Sequence, residues 1–526
     1  MMAWYYTFEA KEIQSFILQS DKLRDMVGGS ELVAQLCGRF LVDSLKAVGV
    51  SDPGSVIIAN AAGWARLKFD EESQAKEFAC HWPLMVSRYA PGLRLVQTLL
   101  PIHGNLPDVM QQAMDQLRAE RNCNQVSLPE IGPLVELNPR TGMAAVKAPF
   151  DRRAKAAVPI DLQTSRKRKI AGAGAIVRKI AAGMEIPSNA WPYEIEEIAS
   201  DKSAYVAVIH ADGNDLGSIL MRIREHLCSS PGSAAEVYRE LSERIDRITV
   251  RAVQDATEAV LAPDYQVRKK NKADAKIAAR PIVLGGDDLT IIVRADLAVP
   301  FTAIFLEAFE RHSHEQLADF RNTIKDFPEL LTACAGIAFV KKSYPFTAAY
   351  HLAETLCDYT KKQAKADRDA RKQADKHLPV PSAFTWHRIT SSMTGGYADV
   401  QRQELTGRGL LENRPVRFWF GPYAVGNQAG GLPLLTNIQR LSKAISTLPG
   451  GSIRTLISTL HTDPVTARKD YKRVLEMAEP EKSAIFKSYL EQLTEQPENP
   501  LVNADCHTPL ADAYLLAELE KGAEHA

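Results

Sequence analysis

Three carboxylates stand at positions where they could hold metal ions together: Asp212, Asp287 and Asp288. Each lies beside a short apolar run of strand type, so that a rigid strand end would fix its position. Hard oxygen ligands of this kind suit Mg²⁺ or Mn²⁺, which keep open coordination positions for triphosphate oxygens. A pair of such ions can activate a ribose hydroxyl and stabilise the leaving pyrophosphate. The residue types therefore predict a metal-dependent nucleotidyl-transfer site.

Glycine and small polar residues accompany Asp212 in the segment 211–217 (ADGNDLG). Gly213 would let the backbone approach a phosphate closely, because glycine has no side chain. Asn214 and Asp215 follow directly and are further candidate contacts to a nucleotide. We therefore predict a phosphate-binding turn immediately after the strand that precedes Asp212.

The other two carboxylates belong to a predicted two-glycine hairpin, 285–288 (GGDD). Gly285 and Gly286 tolerate the positive φ values that such a turn needs, and both are candidate nucleotide contacts. A lone GGDD would more often be a plain hairpin, because Asp and Gly are common turn residues. The neighbouring charges of Asp287 and Asp288 repel each other, however, and a purely structural turn would not favour that. We therefore favour the catalytic interpretation.

The elements around these carboxylates follow a β-α-β-β-α plan. Apolar runs predict strands at 205–209, 281–284, 289–293 and 331–340, and a long charged helix is predicted over 347–372. In such a unit the first strand lies beside the hairpin, so the acidic residues of the two turns can converge.

A lysine on the long helix is a candidate to meet triphosphate oxygens. We favour Lys361, with Lys362 and Lys365 as near rivals. Each taken alone is more often a solvated helix lysine.

The same plan occurs earlier in the chain, without an acidic turn. Strands are predicted at 55–59, 64–69 and 93–100, with a helix over 72–89. The order is that of a ferredoxin-like fold. Upstream, Gly28–Gly29–Ser30 interrupts a helical pattern, and its serine is predicted to cap the next helix.

We therefore predict an α+β chain with two ferredoxin-like palm domains, of the nucleotide cyclase and polymerase type, plus helical domains. Its 526 residues are enough for three or four modules. The predicted division is a degenerate palm at 1–105, a mostly helical or irregular linker domain at 106–200, a catalytic palm at 201–420 and a helical C-terminal domain at 421–526.

Composition limits the classes of partner and compartment. Lys and Arg total 64, as do Asp and Glu, so no global charge draws the chain to nucleic acid or membrane. We favour a solvated face for the basic run Arg166–Lys169, with an RNA-backbone or subunit contact as the alternative. The 7 cysteines are scattered, which argues against a zinc knuckle or a disulfide framework. Without a signal peptide or a membrane-length apolar run, we expect a cytoplasmic protein.

Several separated motifs together resemble the large, polymerase-like subunit of type III CRISPR interference complexes. In chain order they are Ile13–Ile17 (IQSFI), Lys22–Asp25 (KLRD), Gly28–Ser30, the Asp212 turn, the GGDD hairpin, Ala335–Ala338 (AGIA) with Tyr344–Pro345, and Leu352–Glu354 (LAE) leading to Lys361. GGDD alone is shared loosely with diguanylate cyclases.

The resemblance implies a degenerate first palm, an active second palm and helical modules. It implies synthesis of cyclic oligoadenylate from ATP with two Mg²⁺ or Mn²⁺ ions, after a guide RNA pairs with a target RNA. Asp212, Asp287 and Asp288 match the family's metal-binding positions, and Lys361 falls where its phosphate-contacting lysine does. The implied partners are backbone, small and guide-end-capping subunits, and no membrane.

Three features depart from the family pattern. The chain starts directly at the first palm, so we expect no HD nuclease domain and no single-strand DNase activity. The zinc-binding cysteines common between the palms are missing. The acidic residue often found two positions after the first catalytic aspartate is Asn214 here, with Asp215 next to it.

Two other functions stay open at this point. A stand-alone cyclase of the diguanylate type would need neither a second, degenerate palm nor a helical tail. A non-catalytic scaffold would have no need of the paired acids in the GGDD hairpin. We therefore favour a complex-bound oligoadenylate synthase.

Overall fold

The computed structural model describes residues 2–61, 63–123, 132, 134–151, 154–199, 204–229, 234–371, 378–390, 395–426 and 430–524. Two β-sheets dominate it, each covered by helices. Among the described residues, no helix combines the length and the apolar character that crossing a membrane requires.

The first sheet is antiparallel, with the strand order β2-β3-β1-β4. This is the ferredoxin-like order that the sequence predicts. Its strands are β1 (Trp4–Lys11), β2 (Ile57–Ala61), β3 (Trp64–Phe69) and β4 (Arg94–Pro101). Its helices are α1 (Ile13–Leu18), α2 (Leu23–Leu36), α3 (Arg39–Ala47), α4 (Pro53–Val56) and α5 (Glu72–Tyr89).

The region between the two sheets is part helix and part short ribbon. Its helices are α6 (Leu106–Asn122), α7 (Leu162–Ile170) and α8 (Ala175–Ile180), with single 3₁₀ turns at Ala171–Ala173, Ser188–Ala190 and Ile195–Glu197. Its strands form two-stranded ribbons: β5 (Ala145–Lys147) with β8 (Ile160–Asp161), and β6 (Phe150–Asp151) with β7 (Ala156–Ala157).

Two residues of the basic run 166–169 are interior contacts rather than a solvated face. The Lys167 side chain is buried, and its ammonium donates to the carbonyl of Phe16. The Arg168 guanidinium pairs with the buried carboxylate of Asp25, at 2.8 Å from Nε to Oδ1. The expectation of a solvated face is therefore wrong for these two residues, which join α7 to the first sheet's helices.

The second sheet has six strands in the order β10-β11-β9-β12-β13-β16. All neighbours are antiparallel except β12 and β13, which α14 connects as a parallel pair. The strands are β9 (Tyr205–Gly213), β10 (Ala279–Gly285), β11 (Asp288–Arg294), β12 (Ala333–Lys341), β13 (Ala383–Arg388) and β16 (Tyr423–Ala424). The helices are α9 (Leu216–Ser229), α10 (Ala234–Ala256), a π turn (Thr257–Leu261), α11 (Ala262–Asn271), α12 (Ala295–Gln316), α13 (Ala318–Thr323), α14 (Phe346–Arg371) and α15 (Tyr397–Gln403). The first four of these strands again have the ferredoxin-like order, so two palm-type sheets are confirmed.

The chain ends in helices, as predicted. After the ribbon of β14 (Thr406–Leu411) and β15 (Arg414–Arg417), they are α16 (Leu435–Ser446), α17 (Gly450–Thr462), α18 (Pro464–Met477), α19 (Pro480–Thr494) and α20 (Leu510–Glu524). The mixed α+β class is thereby confirmed. The division of the chain into these four domains stays a prediction.

Both faces of the second sheet are buried. Along β9, Val206 and Val208 pack into a core with α2 and α14, while Ala207 and Ile209 pack into the core with α10 and α12. A strand buried on both faces has no polar alternation, which explains why its sequence is a continuous apolar run.

Helix α2 is continuous through Gly28–Gly29–Ser30, so the predicted break and cap are wrong. A Cβ at Gly28 would lie 1.9 Å from the carbonyl oxygen of Lys167. The Ser30 hydroxyl donates to the carbonyl of Ile282 on β10. These small residues therefore serve close approach between α2 and its neighbours rather than a turn.

Gly28→Ala tests this close approach, because the direction of the change in the free energy of unfolding differs between an open and a packed position. In an open helix, glycine to alanine stabilises by up to about 1 kcal/mol. At Gly28 the added methyl would collide with the α7 backbone, so we expect a loss of about 1–3 kcal/mol. Thermal or urea unfolding followed by circular dichroism measures the change.

Gly451→Ala is the matched control, because a Cβ at this helical position meets nothing within 4 Å. We expect it to be neutral or stabilising. A stabilising Gly28→Ala would show that α7 does not lie against α2.

Candidate active site

Asp212 lies inside strand β9 rather than immediately after it. The strand continues to Gly213, and Asp212 pairs in register with Cys334 of β12. The sequence run seemed to end at residue 209 because the following residues are polar or small. Strand β9 pairs with β11 as far as Ala211 and with β12 as far as Gly213, and these ladder bonds keep the backbone extended to the site.

The GGDD segment forms a hairpin with two residues at its tip. Strand β10 ends at Gly285 and β11 begins at Asp288, which pair with each other. Gly286 has φ +62°, whereas Gly285 has no positive φ, so only Gly286 needs the left-handed backbone conformation that glycine adopts easily. A positive φ at the first tip residue is typical of a type II′ turn. The Thr249 hydroxyl of α10 donates to the Gly286 carbonyl at 2.6 Å and holds the tip.

The structure brings the three predicted carboxylates together. Strand β11 pairs with β9, with Leu289 opposite Ala211, so the two acidic ends are neighbours. Asp212, Asp287 and Asp288 each offer an oxygen, and these atoms lie within 4.8 Å of one another. A single divalent ion or a close pair of ions can contact all three.

The close approach of the three carboxylates shifts their pKa values: those of Asp287 and Asp288 rise, whereas that of Asp212 falls. Burial and the negative charge of Asp212 raise the pKa of Asp287 to about 7. Burial and the charges of both neighbours also raise the pKa of Asp288. Burial would raise the pKa of Asp212 as well, but the Lys361 ammonium outweighs it, and the pKa of Asp212 lies below its usual range.

Lys361 is the lysine that reaches the cluster. Its ammonium donates to the Asp212 carboxylate and, at 2.9 Å, to the carbonyl of Gly213. Of the other two candidate lysines on α14, Lys362 is exposed to solvent and Lys365 pairs with Asp215 at 3.3 Å.

The three residues after Asp212 have different surroundings. A Cβ at Gly213 would lie 2.7 Å from Oδ2 of Asp287, so only glycine leaves the second carboxylate in place. Asn214 is buried away from the cluster, where its amide nitrogen Nδ2 donates to the Thr332 hydroxyl at 2.9 Å. Asp215 has φ +57° and pairs with Lys365 and Arg368 of α14.

A cavity of about 430 Å³ opens beside the GGDD hairpin, between the two sheets. The first sheet and its helices contribute Gln14, Ile17 and Trp64 to its wall, and α10 contributes Tyr238. The carboxylate cluster therefore faces a space walled by both palm-type units.

Sequence reasoning missed two polar contacts near the cluster. His210 lies two residues before Asp212 on the same strand face, and its Nδ1 lies 3.1 Å from the Thr290 hydroxyl. Arg368 reaches Asp215 from α14. The alternation of β9 could have indicated His210, whereas no local pattern indicates Arg368.

The donor set fits a divalent metal ion. Three carboxylates converge, and the pKa values of Asp287 and Asp288 are raised above the ordinary value of an aspartate. A bound cation would relieve the repulsion between the negative charges that contributes to this rise. Oxygen-only ligands suit Mg²⁺ or Mn²⁺ better than zinc.

The segment that contains this site matches a known protein family. Residues 205–371, which include all three carboxylates and Lys361, match the family described as Cas10/Cmr2, second palm domain. The resemblance predicted from the sequence is therefore confirmed at this palm. No curated protein sequence matches the chain.

Three solved structures are similar in part. A Csm1–Csm4 cassette in complex with cA4 is 12% identical over 69% of this chain and 53% of that chain, with a TM-score of 0.42. A cassette in complex with cA3 is 13% identical over 98% and 70%, with a TM-score of 0.47. The Csm1–Csm4 subcomplex of the type III-A CRISPR-Csm interference complex is 13% identical over 69% and 53%, with a TM-score of 0.41. The chain spans about half the length of the first of these.

Gly213→Ala should weaken metal binding by displacing Asp287. We expect the Mn²⁺ affinity to fall at least about tenfold, as for other changes that move a metal ligand. Gly217→Ala, at the start of α9, is the nearby control, since a Cβ there meets nothing within 4 Å. Calorimetric titration with Mn²⁺ measures both. Equal affinities for the two variants would show that a methyl group at Gly213 displaces no metal ligand, contrary to this prediction.

Metal affinity should also rise with pH. A metal ion binds the ionised carboxylates, so it must displace the proton that Asp287 holds up to about pH 7. We expect Mn²⁺ affinity to rise about tenfold or more from pH 6 to pH 8, and this rise to shrink in Asp287→Asn.

Unfolding without metal gives an independent check on this cluster. The raised pKa of Asp287 means that stability is lost as pH rises from about 4 towards about 7. With a metal chelator present, Asp287→Asn should therefore melt above the wild type at pH 8, and the difference should shrink at pH 5. If Asp287→Asn melted below the wild type at pH 8, this result would contradict repulsion between Asp287 and its neighbouring carboxylates.

Proposed function

We propose that this chain is a nucleotidyltransferase of type III CRISPR defence that links ATP molecules into cyclic oligoadenylate. The observation that carries the proposal is the convergence of Asp212, Asp287 and Asp288 inside the segment that matches the second palm of Cas10/Cmr2. A plain hairpin would not keep three carboxylates so close that two pKa values rise.

The three aspartates would hold Mg²⁺ or Mn²⁺, and those ions, when bound, would neutralise charge on the reacting phosphate and hydroxyl. Gly213 leaves room for the Asp287 carboxylate in that arrangement. Lys361, which pairs with Asp212, would turn to the triphosphate of the donor ATP. The 3′ oxygen of one ATP would bond to the α-phosphorus of the next as the bond to pyrophosphate breaks.

The cavity beside the hairpin would position the adenosine parts. Its apolar wall, with the rings of Trp64 and Tyr238, offers surfaces on which a base can stack. Because one wall belongs to the first sheet, movement of the first sheet relative to the second would change the site. This gives partners a physical route to control turnover.

We further propose that the chain acts within a cytoplasmic guide-RNA complex. Its partners would be backbone, small and guide-end-capping subunits, which would bring guide RNA and target RNA to it. Its own balanced charge, with 64 basic and 64 acidic residues, does not favour RNA binding by the whole surface.

Labelled ATP turnover tests this function. The chain is incubated with Mg²⁺ or Mn²⁺, alone and with its copurified partners, guide RNA and complementary target RNA. We expect oligoadenylates only or chiefly in the assembled, RNA-activated sample. Asp287→Ala/Asp288→Ala should lower the rate about 1,000-fold or more, because it removes two of three metal ligands.

Asp43→Ala is the matched control, since this exposed carboxylate pairs with Arg39 on α3, outside the candidate site. It should leave turnover unchanged. A guanylate product from the lone chain would favour a diguanylate-type cyclase. No product from any assembled, activated sample would leave a scaffold role.

A further inference from the structure

Exposed apolar side chains are concentrated in the short ribbons between the two sheets. Within the described part of the chain, fifteen large apolar side chains are exposed, and seven of them lie between residues 134 and 162. Five of these seven are Leu137, Met143, Val146, Phe150 and Leu162. Scattered single apolar residues are normal on a protein surface, whereas a local concentration of them is typical of an interaction site.

A buried carboxylate, that of Asp161 at the end of β8, holds this part of the chain in place. It accepts hydrogen bonds from the Asn138 side-chain amide at 2.6 Å and from the Thr141 hydroxyl at 2.8 Å. It also accepts from the backbone N–H of Thr164 at 2.8 Å, at the start of α7. These bonds join the segment 138–141 to β8 and α7, so the apolar side chains nearby belong to an anchored surface.

A cavity of about 1040 Å³ lies between these ribbons, α7 and the start of α2. The apolar part of its wall consists of Pro149, Phe150, Ile160 and Leu162. Phe150 is 68% exposed and Leu162 is 50% exposed, so nothing in the described part of the chain covers them. An open apolar wall of this kind can receive the anchoring side chains of a protein partner.

Basic side chains line the rest of the cavity. They are Lys22, Arg24, Lys147, Arg166, Arg168 and Lys169, against three acidic residues, Asp25, Asp151 and Glu194. Arg168 is paired with Asp25. The other five cations form no ion pair with a carboxylate among the residues that the structure describes. The cavity therefore has an excess of positive charge next to exposed apolar surface.

A protein segment that carries carboxylates beside apolar side chains complements this wall. Its apolar side chains would cover Phe150 and Leu162, while its carboxylates would meet the surrounding cations. Single-stranded nucleic acid would also be attracted by the positive charge, but it binds by stacking successive bases on aromatic rings. Phe150 is the one aromatic residue on the described wall, and the other apolar residues there are aliphatic, which favours a protein segment.

We propose that this cavity and the ribbons beside it dock an acidic, partly apolar segment of another protein subunit. The inference rests on the proposed function, and it adds to that function the surface on which one protein partner binds. It also gives a role to Arg166 and Lys169, the two residues of the basic run that are not interior contacts. No residue of this wall lines the cavity beside the GGDD hairpin, so the docking surface is separate from the carboxylate cluster.

Binding of RNA-free partner subunits tests the docking surface. The protein subunits that copurify with the chain are freed of RNA with nuclease, separated, and titrated against the immobilised full chain by interferometry. Phe150→Glu places a negative charge on the apolar wall, so we expect binding to weaken about tenfold or more. Lys147→Glu should weaken binding about three- to tenfold and make the affinity less dependent on salt concentration, because one attractive charge is reversed.

Leu84→Glu and Lys46→Glu are the matched controls. Leu84 is 66% exposed on α5, Lys46 is exposed on α3, and neither lines the cavity. Both variants should bind the partner subunits as the wild type does. All four substitutions are at exposed positions, so thermal unfolding followed by circular dichroism should be nearly unchanged.

Wild-type affinity in Phe150→Glu or in Lys147→Glu would overturn the proposal, as would an equal loss in the two controls. A chain that binds no protein subunit without RNA would overturn it too. Labelled single-stranded RNA is titrated against the same variants, and loss of RNA binding with unchanged partner affinity would make the cavity a nucleic-acid site instead. The synthase proposal fails separately, if assembled, RNA-activated samples make no oligoadenylate.

Discussion

The second sheet holds three carboxylates within 4.8 Å of one another, and their mutual repulsion has to be balanced by the surrounding structure. Strand pairing supplies most of the rigidity, because β9 lies between β11 and β12 and cannot move one carboxylate away. Lys361 supplies an opposite charge to Asp212. Burial and this repulsion raise the pKa values of Asp287 and Asp288, and a metal ion bound there would relieve the repulsion.

Glycine permits the close contacts on which this arrangement depends. Gly213 leaves space for Asp287, and Gly336 lets α14 lie directly on β12, where a Cβ would be 2.1 Å from the Ala353 carbonyl. That close packing is what brings Lys361 to the strand end. Gly28 plays the same part where α2 meets α7. Small residues thus permit close packing between β9 and the GGDD hairpin, between α14 and β12, and between α2 and α7.

Much of the fold could be predicted from the chain alone. Apolar runs indicate the strands of both sheets, most clearly in the second sheet, whose central strands β9, β11 and β12 are buried on both faces. The order of the strands and helices along the chain predicts the ferredoxin-like plan. The prediction at Gly28–Ser30 is wrong because local rules treat paired glycines as a break. In the structure, small residues are required here because α7 and β10, which are remote in sequence, lie in close contact with α2.

By itself, the sequence determined which carboxylates stand at strand ends and which helix carries the lysines. Residue type and periodicity are local properties, and they are sufficient for that much. Only the tertiary structure decided that Asn214 turns inward to Thr332, and that Asp215 pairs with Arg368 across 153 positions of chain. Those outcomes depend on distances between elements that are remote in sequence. Such distances follow from how helices and sheets pack, which no local pattern records.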